Sequence, residues 1–73
     1  MALTNQEKIS IVEQHIKNLE VNKFNIELSI SEENSVESPS ESILHGLNGQ
    51  LANVTAKIST LNTELTTLKQ AGQ

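Results

Sequence analysis

The second half of the chain carries an unbroken heptad. Leu44, Leu47, Leu51, Val54, Ile58, Leu61, Leu65 and Leu68 are spaced alternately three and four residues apart. On a helix of 3.6 residues per turn, that spacing puts every one of them on a single stripe. A strand alternates faces at each residue and would scatter them over both sides. The stretch is therefore read as a long amphipathic helix with a coiled-coil seam.

The first half repeats the pattern with one interruption. Ile9, Val12, Ile16, Leu19, Ile26 and Ile30 keep the same frame, and Lys23 fills the place between Leu19 and Ile26. A polar seam residue of this kind sets register or extends its stem along apolar surface while its ammonium stays in water. From Phe24 to Ser31 apolar and polar residues alternate, which is also a strand pattern. No turn residue separates this segment from the heptads before it, and Glu13, Glu20 and Glu27 carry the seven-residue frame through it. The frame favours helix.

Start signals precede each repeat. Thr4 with Glu7 reads as a capping box, in which the hydroxyl accepts from a free amide and the carboxylate reaches back. Ser38 with Glu41 reads the same way, with Pro39 at the first helical position, where a missing N–H costs nothing. The segment between is polar. The expected boundaries are helix 1 at about 5–31, a loop at about 32–38 and helix 2 at about 39–70. A parallel, self-paired single helix would hold Pro39 in its interior at about 3 kcal/mol or more. The predicted fold class is all-α: an antiparallel two-helix hairpin of coiled-coil type, assembled into a larger helical bundle. With the turn centred near Ser35, the expected layers pair Ile9 with Leu61, Ile16 with Val54 and Ile26 with Leu44, and set Leu65 opposite Asn5.

The expectation of assembly comes from size. The chain has 73 residues, 8.0 kDa and no cysteine. A chain this short buries only about 60% of its unfolded surface. Small folds usually need a staple, and with no cysteine for disulfides or thiolate metal sites, partner subunits are the expected one. Val21, Phe24 and Leu28 fall off the helix 1 seam and form a second apolar stripe around the single aromatic residue. Such a cluster is expected to dock another subunit or partner protein. Leu65 and Leu68 at the open end are further candidates, unless Leu3 covers them. Gly46 and Gly49 weaken helix 2, and either permit close backbone approach or mark a poorly optimised first turn.

Several functions are disfavoured. Net charge is −4, and the five lysines are scattered, so no basic face addresses phosphates and no direct nucleic-acid binding is expected. No apolar run approaches the roughly 20 residues of a membrane span. The N-terminal residues lack a basic region followed by an apolar run, so no signal peptide is read and synthesis in the cytoplasm is expected. His15 and His45 form no helical ligand pair, so no metal site is expected. Gly46-Leu-Asn-Gly49 lacks the Lys-Ser/Thr of a phosphate loop. The glutamates, Glu32 and Glu33 included, are read as solvated. Two helices outline no substrate pocket. The expectation is a non-enzymatic protein with no catalytic residues, no cofactor and no small-molecule substrate.

Met1-Ala-Leu-Thr4 leads into Lys8-Ile9, then Val12-Glu-Gln-His-Ile-Lys-Asn-Leu-Glu20, a short polar turn and a Thr/Asn-rich heptad helix. This frame resembles small uncharacterised helical-hairpin proteins of contractile-tailed bacteriophages infecting cyanobacteria. The resemblance covers most of the chain and implies an accessory structural protein of the virion, in capsid, neck, tail or baseplate. It carries over no catalytic or binding residue. The leading expectation is thus an oligomerising structural protein, homo-oligomeric or bound to neighbouring structural proteins. The alternative is a small adaptor or inhibitor module that binds one host or phage protein.

Overall fold

The computed structural model describes residues 2–71. Two helices run α1, Asn5–Asn34, and α2, Glu41–Ala71, and pack against each other along their length. They form an antiparallel hairpin measuring 55 × 19 × 14 Å. Each helix cylinder is about 10 Å across, so the rod is two helices wide and one helix thick. The all-α hairpin expected from the heptads is the observed fold. Residues 24–31 are helical, which settles the ambiguity in favour of the heptad frame.

The seam follows the 3–4 spacing on both helices. Ile9, Ile16, Ile26 and Val54 are buried, and the remaining apolar seam residues are half-buried, as is Lys23. The seam also runs further than its apolar residues. Asn5 and Glu33 extend it at the two ends of α1, and Ser40 extends it at the start of α2. These polar positions tie the rod at both ends. Asn5 Nδ2 donates to the Leu68 carbonyl at 2.7 Å, and the Ser40 backbone N–H donates to Glu33 Oε2 at 2.9 Å.

The first capping box is present as read. Glu7 N–H donates to Thr4 Oγ1 at 3.1 Å, and Thr4 N–H donates to Glu7 Oε1 at 2.8 Å. The second cap is not where the Ser-x-x-Glu spacing put it. α2 starts at Glu41, and Ser40, not Ser38, takes the cap position. Its carbonyl accepts from Leu44 N–H, and its hydroxyl accepts from Ile43 N–H at 3.3 Å. Ile43 holds the third helical position and has no carboxylate to return to the Ser40 amide. Glu33 of α1 supplies that acceptor across the loop, so Pro39 lies outside α2 and Glu41 does not play the expected reciprocal part.

α1 correspondingly runs three residues beyond the expected 31. It ends where Ser35 turns both its backbone N–H and its hydroxyl onto the Glu32 carbonyl. The loop is then 35–40, and its centre moves from near Ser35 to between Glu37 and Ser38. The ties at the ends agree with that shift: Asn5 reaches Leu68, one seam position beyond the expected Leu65.

The glycines show no close approach. A methyl group placed on Gly46 or Gly49 meets no atom within 4 Å, leaving out adjacent helix backbone. Neither Phe24 nor the Lys23 stem packs over them, so the hairpin itself gives these glycines no packing role.

Candidate functional site

The candidate surface is the outer face of α1. Residues Val21, Phe24 and Leu28 are 52%, 59% and 44% exposed. Spaced three and four apart on a continuous helix, they share one face, and that face points away from α2. The three residues singled out from sequence therefore stand together. At 100° per residue, Lys17 falls on the same face one turn before Val21, and Glu32 falls one turn after Leu28, at its edge. Both side chains are exposed.

The other two candidates lie elsewhere. Leu65 and Leu68 are half-buried members of the seam at the open end. Asn5 occupies the Leu68 carbonyl, and Leu3, the expected cover, is itself 50% exposed. By helix rise, the open end lies about 28 Å along the rod from Phe24. The five candidates thus form two separate places, not one site. Ile11, Val36 and Ile43 are also exposed and were not singled out. Ile11 and Ile43 are apolar residues that the heptads leave off the seam, and Val36 lies in the loop between the helices.

The sequence outlined no pocket, yet an open groove of about 500 Å³ runs along one side of the seam. Leu19 and Leu61 give it an apolar floor. His15, Asn18, Lys57 and Thr60 stand along it, with Ala56 between. Among the described residues no three His, Cys, Asp or Glu side chains converge to hold a metal. His45 is exposed and does not line the groove. An arrangement of this kind supports apolar contact with a rim of hydrogen bonds.

The charges are arranged loosely. Lys69 Nζ stands 4.0 Å from Glu13 Oε2, with both side chains more than half exposed, a pair worth at most about 1 kcal/mol. The Glu7 carboxyl is held below the usual carboxylate range, first by the Thr4 backbone N–H and then by the Thr4 hydroxyl. That is the signature of a helix cap. No helix among the described residues is long and apolar enough to cross a membrane. No family model, curated protein or solved structure matches the chain.

Proposed function

We propose that this chain is a non-enzymatic structural protein, a hairpin that oligomerises or docks onto neighbouring proteins through the outer face of α1. The observation that carries the reading is the imbalance of apolar surface. Among the described residues only four are buried, while Val21, Phe24 and Leu28 stand exposed in one stripe. Apolar side chains gathered on one exposed face are a common mark of a protein contact surface. The resemblance to small proteins of contractile-tailed cyanobacterial phages extends the proposal to an accessory component of a virion.

The test is co-purification from cells that make the tagged chain, with the bound proteins identified by mass spectrometry. The expected result is self-association or a stoichiometric structural partner, lost with Phe24→Ser while circular dichroism stays helical. Binding that survives Phe24→Ser overturns the assignment to this face. Mass spectrometry of purified particles tests the virion part: a chain found in infected lysate and missing from particles favours the adaptor alternative.

A further inference from the structure

The outer face of α1 is complementary to itself. Phe24 sits at its middle, with Val21 three residues before and Leu28 four after. Lys17 closes one end of the stripe and Glu32 closes the other. If two such faces are laid antiparallel, with the axis of symmetry at the level between Phe24 and Asn25, Val21 meets Leu28. The two Phe24 rings then flank the axis, and Lys17 of each copy meets Glu32 of the other. A parallel arrangement sets Lys17 against Lys17 and Glu32 against Glu32. A two-fold contact needs a patch that matches itself under this operation, and the spacing and the terminal charges of the stripe both satisfy it.

The exposed area is large enough for such a contact. The chain exposes 5437 Å², whereas a globular monomer of its mass exposes about 4,500 Å² by the surface scaling law. The excess, on the order of 1,000 Å², is spread over the whole rod, and it leaves room for the roughly 600 Å² that each partner contributes to a small, reversible interface. Resting on the reading of this face as a contact surface, we infer that its occupant is a second copy of this chain, packed α1 against α1 in an antiparallel, two-fold dimer of four helices.

The contact is a weak one. Glu20 and Glu27 fall on one rim of the face, where the antiparallel arrangement brings those of the two copies to similar heights. Their repulsion opposes the two Lys17–Glu32 pairs. The stripe is also short. The expected dissociation constant is on the order of 10 µM, the range of small transient interfaces.

Sedimentation equilibrium over a concentration series tests the inference. The wild type is expected to move from monomer to dimer, with no larger species. Phe24→Ser, which alters an exposed position, should leave helicity intact and weaken the dimer at least about tenfold. Lys17→Glu and Glu32→Lys should each weaken it several-fold, and the double exchange should restore it, because both pairs re-form with reversed sign. Direction is read by thiol cross-linking, since the chain has no other cysteine. A short bismaleimide should join Asn25→Cys copies at the axis. Ser10→Cys copies lie about 43 Å apart by helix rise in the antiparallel dimer and should stay unlinked.

Efficient Ser10→Cys cross-linking overturns the antiparallel arrangement. A dimer indifferent to Phe24, or a double exchange that fails to restore it, overturns the contact. A wild type that stays monomeric at several hundred micromolar overturns the second copy as the occupant. In that last case the broader reading is judged separately, by whether a different protein co-purifies and is lost with Phe24→Ser.

Discussion

Glu7 stands at the first turn of α1, where its carboxylate accepts the Thr4 backbone N–H and its own amide donates to the Thr4 hydroxyl. The ionised form accepts more strongly than the protonated one, so the folded carboxyl titrates below its ordinary value of 4.5. A group whose folded pKa is depressed contributes stability that is present above the unfolded value. That stability is lost as pH falls through the folded value. Thermal melts taken from neutral pH downward should therefore hold level until about pH 5 and then decline. Glu7→Gln should flatten this group's share of the decline. An unchanged acid limb in that variant would show that the cap carries none of it. Gly46 and Gly49 make a second residue-scale case. Both lie within α2, and added methyl groups would meet open space. Replacing either with Ala should stabilise the hairpin by about 1 kcal/mol, from helix propensity alone. Urea unfolding checks this; a neutral or destabilising result would mean that another chain packs against those positions.

The helices themselves were legible because their signal is redundant. Eight seam residues in α2 repeat one instruction, and tertiary packing had nothing to overrule. The cap at Thr4 was legible because all its partners lie within four residues. The start of α2 was not. Ser38-Pro39-Ser40-Glu41 offers two serines, and the local template selects Ser38 because an acid follows it at the right spacing. The structure selects Ser40 because its acid comes from the other helix, through the 2.9 Å bond from Ser40 N–H to Glu33. No local pattern encodes a partner seven residues back, across a turn. Glu33 was therefore read as a solvated charge, when it closes the loop end of the hairpin. A double-mutant cycle on Glu33→Ala and Ser40→Ala addresses this. The hydroxyl bonds Ile43 N–H, and the backbone amide bonds Glu33, so each change removes a different bond of one cap. Each single loss is expected to cost about 1 kcal/mol in denaturant unfolding. The double loss should fall short of the sum, since a frayed first turn has no ordered amide left to present to Glu33. Strict additivity would mean that the two bonds act independently.

At the scale of the whole molecule, a rod one helix thick cannot hide both faces of either helix. Among the described residues its seam buries four and leaves seven large apolar side chains exposed, three of them in the α1 stripe. That stripe was legible as residues off the heptad. Its complement was not, because a sequence read as one chain names no second molecule. Folding and association should then be linked, since a partner that binds only the folded form stabilises it by mass action. For the wild type, the melting temperature should rise with protein concentration once the concentration passes the dissociation constant. About 1 kcal/mol of linkage, a few-fold to tenfold excess over that constant, moves the midpoint of a domain this small by about 4–8 °C. Phe24→Ser should melt near the dilute wild-type value and show no such rise. The contrast separates two roles for Phe24. If the ring stabilised the hairpin by covering its own chain, the variant would melt lower at every concentration, including the most dilute. If it stabilises by contact with another molecule, the two proteins should coincide when dilute and part as concentration increases.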